Sequence, residues 1–203
     1  MVATRDAEAT RARILAAATA EFGAHGLAGA RVDRIAAAAA ANKALIYAYF
    51  GNKDDLFDRV VEASFEQLHA EVTFTPHDLA EYGTALFDYL ADHPDVLRLD
   101  AWRRLERPVA TDAERAAYVD IIDGLTAVRS SFGSNDQFLP GDVLAIVIAV
   151  AGAWAGTPDA LRPHISADRE RQRALVGGVI AVLTKSQHHQ PHEHIERGAD
   201  ERR

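Results

Sequence analysis

Apolar side chains recur at intervals of three and four along the whole of this 203-residue chain, and nowhere do they alternate strictly with polar ones over the length of a strand. That rhythm specifies helices packed on helices and leaves no segment for a sheet. The fold class expected is therefore all-α, with about nine helices separated by glycine, proline and asparagine breakers.

The first helix is expected from about Asp6 to Ala24, with Ile14, Leu15, Ala18 and Phe22 on one stripe and Gly26 as a left-handed stop. Two short helices follow. One runs from about Arg31 to Ala39 with Val32, Ile35, Ala36 and Ala39 on one face; the other runs from Lys43 to about Tyr49 behind an Asn42 cap, with Ile46 and Phe50 turned inward. Gly51-Asn52 ends this unit, and Asn52 caps a long fourth helix to about Phe74. Thr75-Pro76-His77-Asp78 reads as the cap and first turn of the next helix, which ends at His93-Pro94. Helices are expected at about Pro94–Arg107, Thr111–Ser131, Leu139–Gly156 and Ser166–Lys185. The domains read as 1–52, 53–185 and a polar tail at 186–203, where His188, His189, His192 and His194 suit adventitious metal binding rather than a built site.

Composition narrows the function. Without cysteine there is no disulfide framework, thiolate zinc site or cysteine nucleophile. The N-terminal residues lack an apolar leader, and the longest apolar run, Val143 to Ala155, is too short for a bilayer, so a cytoplasmic protein without membrane contact is expected. The net charge of −8 is unevenly placed: residues 1–60 carry +1 and the remainder −9. An acidic body touching nucleic acid through one small module suits selective contact better than wrapping.

That module is Ala30 to Lys53, whose two short helices have the shape of a helix-turn-helix. Lys43 stands where the second helix meets a phosphate or guanine edge, and small Ala44 allows close backbone approach. Leu45 and Ala48 suit thymine methyls, Tyr47 and Tyr49 suit phosphate hydrogen bonds, and Lys53 adds an anion-binding point at the next helix start.

Residues 10–60 resemble the DNA-binding domain of the TetR family of bacterial repressors, through Ile14, Ala17, Phe22, Gly26, Val32, Ile35-Ala36, Tyr47, Phe50, Lys53 and Leu56. The resemblance implies DNA contacts from Arg31, Lys43, Ala44, Tyr47, Tyr49 and Lys53, to which the helix start adds Asn42 and Leu45, each monomer reading half of a near-palindromic double-stranded operator. It further implies a homodimer whose last two long helices form a four-helix bundle. Three positions depart from the family pattern: Ala40 replaces the glycine of the turn, Arg31 the hydroxyl that opens the second helix, and Ala44 a glycine in the recognition helix.

Beyond residue 60 the likeness is architectural. The all-round apolar segment Val143 to Ala155 and the small-residue stretch around Gly177-Gly178 place the dimer contact at Val147, Val150, Trp154, Val176, Val179 and Leu183. A site for an unidentified, partly apolar small-molecule effector is expected among Tyr82, Phe87, Tyr89, His93, Trp102, Arg103, Tyr118 and Trp154. Catalysis is not expected: Glu66-x-x-His69 lacks the second such pair of a di-iron bundle, and there is no phosphate loop, nucleophile elbow or H-E-x-x-H; neither a metal nor a cofactor is implied. The favoured reading is a repressor released from its operator by an effector. The competing one is a helical dimer that binds small molecules or protein partners without operator binding.

Overall fold

The computed structural model describes residues 2–131 and 138–185, and the polar tail at 186–203 lies outside them. Nine α-helices occur among the described residues, and no strand. They are α1 (Val2–Gly29), α2 (Val32–Ala38), α3 (Lys43–Phe50), α4 (Lys53–Glu71), α5 (Leu79–Asp92), α6 (Pro94–Glu106), α7 (Asp112–Ser131), α8 (Pro140–Ala151) and α9 (Arg169–Lys185), with a 3-10 turn at Arg162–His164.

The first four helices close a small core. Ile14, Ala18 and Phe22 of α1 meet Ile35 of α2, Ile46 of α3 and Leu56, Phe57 and Val60 of α4, and the Phe22 and Phe57 rings stand edge to face at 5.0 Å. The expected stop at Gly26 is a break within α1, with φ 67° and ψ −179°, a conformation essentially confined to glycine. Asn42 caps α3 by accepting the Leu45 N–H. Asn52 and Asp55 form a reciprocal capping box at the start of α4. The core runs on past that box to Val60 and takes in Leu99 from α6.

The second core is centred on α5, which is buried on several faces against α8 and α9. Gly83 and Gly177 make the α5–α9 contact close: a Cβ on the first would lie 2.2 Å from Ile180, and one on the second 3.1 Å from Thr84. Arg169 and Arg173 tie α9 to Asp88 and Asp92 of α5.

Three expectations are corrected. The cap of α5 is Asp78, which accepts the Glu81 N–H, and not Thr75. Pro76 sets the residue before it towards extended backbone, so the helix begins only after the turn. Helix α8 ends at Ala151 and continues as single turns to Thr157, because Gly152 at its C-cap does not hold the helix. Finally, Val147 and Val176 belong to the core of this chain, 2% and 0% exposed, since they pack against α5. The outward apolar face of α8 and α9 consists of Ile146, Leu175, Val179, Val182 and Leu183, while Val150 and Trp154 are half-buried against the core.

Candidate functional site

The helix-turn-helix buries its large aliphatic side chains and leaves polar and small residues outside. In α2, Val32, Ile35 and Ala36 are buried, which turns Arg31, Asp33 and Arg34 outward. The turn has the hydrogen bonds of a Schellman motif, Ala41 N–H to Ala36 O and Ala40 N–H to Ala37 O. Ala40, in the glycine position, takes φ +49°. In α3 only Ile46 is fully buried; Lys43, Ala44, Tyr47 and Ala48 are exposed and Leu45 and Tyr49 half-buried.

Several of the expected DNA contacts are held by a neighbour. Lys43 pairs with Asp33 at 2.6 Å, and that carboxylate raises its ammonium above the ordinary range. Lys53 donates weakly to the Ala28 and Ala30 carbonyls, at 3.5 and 3.4 Å. The guanidinium of Arg11 lies over the Tyr49 and Phe50 rings, 5.4 and 5.8 Å from their centroids. Glu21 anchors the start of α2 by accepting the Arg31 N–H at 2.8 Å and the Arg34 guanidinium. Burial acts to raise its carboxyl, but these bonds bring it below its ordinary value. Neither Arg11 nor Glu21 announces these roles in the sequence, because each depends on a partner ten or more residues away.

Helix α6 clasps this unit. Glu106 accepts the Leu27 and Ala28 N–H groups at 2.5 and 3.2 Å, serving the backbone freed at the Gly26 break, and Trp102 fills the space that a Cβ on Gly26 would take. Arg107, just after α6, bonds Asp54 and Asp58 of α4 at 3.1 and 2.8 Å. Burial raises the Asp58 carboxyl despite Arg107.

On its other side α6 walls a cavity of about 160 Å³ lined by α4, α5, α6, α7 and one residue of α8. Of the eight expected ligand residues, Tyr82, Arg103 and Tyr118 line it. Burial, and to a lesser extent Tyr118, raises the Tyr82 phenol to about 12. Phe87 and Trp154 line a separate depression beside α8, with their rings edge to face at 5.6 Å. Trp102 belongs to the α1 clasp. Tyr89 and His93 stack on each other at 4.4 Å away from the cavity; His93 faces Glu71, and the buried Tyr89 hydroxyl has no hydrogen-bond partner among the described residues. The sequence reading missed the α4 share of the wall, Ser64, Phe65, Leu68 and His69, although their i, i+3 and i+4 spacing was visible. It also missed Glu114. His69 of the Glu-x-x-His pair contacts the Phe65 carbonyl through Nδ1 at 2.9 Å, and no metal-ligating cluster occurs among the described residues.

The sequence pattern "Bacterial regulatory proteins, tetR family" matches residues 14–60, and "Tetracyclin repressor-like, C-terminal domain" matches residues 78–181. This chain belongs to the TetR family. The first match spans the helix-turn-helix core and the second α5 to α9, so the family likeness extends well beyond the motif that suggested it. Over 158 residues the chain is 43% identical to the HTH-type transcriptional repressor SCO4008 of Streptomyces coelicolor, covering 76% of this chain and 82% of that one. It is 34% identical over 113 residues to the HTH-type transcriptional repressor NicS of Pseudomonas putida, about half of each chain (52% and 53%). The crystal structure of SCO4942 of Streptomyces coelicolor, described as a transcriptional regulator, superposes with a TM-score of 0.77 at 36% identity, covering 86% of this chain and 97% of that one. No described helix is long and apolar enough to cross a membrane.

Proposed function

We propose that this TetR-family protein is a homodimeric repressor that binds a near-palindromic operator through α3 and is released when a small molecule enters the cavity beside α6. The observation that carries the reading is the position of α6, which lines the cavity with Asp100 and Arg103 and, within one further turn, holds α1 with Glu106 and α4 with Arg107. A ligand that displaces α6 therefore acts on both helices that carry the recognition unit. Such a ligand must bind the displaced state better than the operator-bound one.

The names of the 43% and 34% identical relatives support repression. The outward face of Ile146, Leu175, Val179, Val182 and Leu183 supports a second copy against α8 and α9. The acidic excess of residues 61–203 keeps that domain off the phosphates, so DNA contact falls to the α3 face with Arg31, Lys43, Tyr47 and Lys53.

Selection of bound duplexes from a random pool tests the reading. A near-palindromic winner is expected, with Lys43→Ala lowering affinity and reducing the slope of log affinity against log salt by about 1. Sedimentation should give a dimer that Val179→Asp converts to monomer. No enrichment by folded, dimeric protein would overturn operator binding in favour of a helical dimer with other partners.

A further inference from the structure

One carboxylate of the recognition unit has no part in its packing. Glu21 holds Arg31 and Arg34 at the start of α2, Asp55 closes the capping box of α4, and Asp54 and Asp58 bond Arg107. Asp33 instead stands outward from α2 with its side chain 71% exposed, and it pairs with Lys43, 2.6 Å away at the first position of α3. An ion pair this open contributes little to stability. On a surface that meets phosphates, moreover, a carboxylate lowers affinity for every duplex alike. As a first-turn acid Asp33 suits the positive end of α2, but that benefit does not require it to face the recognition helix.

Resting on the proposed two-fold operator read by α3, we propose that Asp33 is a specificity-determining residue. With Lys43 it reads one G·C pair in each half-site, Lys43 on guanine O6 and N7 and Asp33 on the cytosine N4 amino group. The chemistry of the groove edge selects that pair. An ammonium only donates hydrogen bonds and a carboxylate only accepts them. In the major groove guanine presents two acceptors and cytosine one donor, so the order along the edge matches an ammonium beside a carboxylate. Guanine O6 and cytosine N4 are bonded to one another across the pair and stand side by side, as the two charged groups do. Inverting the pair sets the carboxylate against guanine O6 and the ammonium against the cytosine amino group, acceptor on acceptor and donor on donor. An A·T pair places one donor between two separated acceptors, so Lys43 keeps a single acceptor instead of two.

Parallel selections from a random duplex pool with the full chain as wild type, Asp33→Ala, Asp33→Asn and Lys43→Ala test the assignment. Thermal midpoints should agree closely, since the Asp33 and Lys43 side chains are exposed. The wild-type winner should carry a G·C pair at symmetry-related positions of its half-sites, and inverting that pair should weaken binding about tenfold. Asp33→Ala should bring the two orientations to within about threefold, leave base preferences elsewhere unchanged and raise affinity for unrelated duplexes. Asp33→Asn keeps the shape of the side chain and should move the preference at that position towards adenine, which an amide reads. Lys43→Ala should relax the same position, and the double variant should lose little more discrimination than either single one. Uniform weakening of Asp33→Ala on all duplexes, which marks a role confined to the fold of α2, overturns the proposal, as does relaxation only at a pair other than G·C. An unchanged preference in Asp33→Ala beside an enriched wild type removes this assignment and leaves operator binding standing; no enrichment by the wild type removes both.

Discussion

The N-terminal unit and the helical domain behind it use the same kind of amphipathic helix but dispose of their apolar surface differently. In the first, Ile14, Phe22, Ile35, Ile46, Leu56 and Phe57 are fully buried together, so what remains for function is an outer face of polar, small and tyrosine side chains on a packed base. In the second, α5 is fully engaged by α8 and α9, yet its Tyr82, Leu86 and Leu90 also border an unfilled space shared with α4, α6 and α7. On the proposed function, one unit works by what it leaves outside and the other by what it leaves empty. A recognition surface needs a fixed backbone, whereas an effector site needs room and a wall that can move.

The sharpest way to break this contrast is Phe22→Ala. Truncating a ring that is fully buried against Phe57 should destabilise the N-terminal unit by about 3–5 kcal/mol, read by urea denaturation. Operator binding should vanish while the helical domain still unfolds near its own midpoint; loss of both in one step would mean that the two cores are one cooperative unit. Gly26→Ala sharpens the contrast at the clasp. An alanine there leaves its preferred backbone region at about 1–3 kcal/mol and drives a methyl into Trp102, so melting temperature and operator affinity should fall together. Ala40→Gly works in the opposite direction. Relieving a left-handed alanine in the Schellman turn should stabilise by about 1 kcal/mol in denaturant melts without altering the cavity.

The smallest effect is on pH dependence. The Glu21 carboxyl is held below its ordinary 4.5, so the stability it lends is complete above that value and is lost as pH falls through the lower, folded value. Melting temperature should therefore decline less steeply below about pH 4.5 in Glu21→Gln than in the wild-type protein; parallel curves would remove Glu21 from the anchoring of α2.

Legibility in the sequence followed the same divide. The caps at Asn42 and Asn52 and the buried faces of α2 and α3 are local: each depends on residues within about one helical turn and is legible in the sequence, as is the place of the break at Gly26, although its backbone is not the αL stop expected and α1 runs on to Gly29. Assignments that require knowing which face of a helix meets which neighbour were less legible. The sequence marks Val147 and Val176 for a dimer contact because an apolar helix must be covered, but periodicity does not say whether the cover is α5 of the same chain or a second copy. Tyr89, His93 and Trp102 are indistinguishable from Tyr82 in sequence, because which of them faces the cavity depends on how the helices cross.

Spacing, caps and breakers act over distances shorter than one helix, so the all-helical fold, the helix-turn-helix and its exposed Lys43 and Tyr47 can be read from the chain alone. Helix packing sets what no local pattern carries: Glu106 accepting from the Leu27 N–H 79 residues away, α4 sharing the cavity wall, and Glu114 and Asp100 converging on Arg103. Those features arise from the crossing of helices, and a crossing is set by the packing of all their side chains together rather than by any one segment.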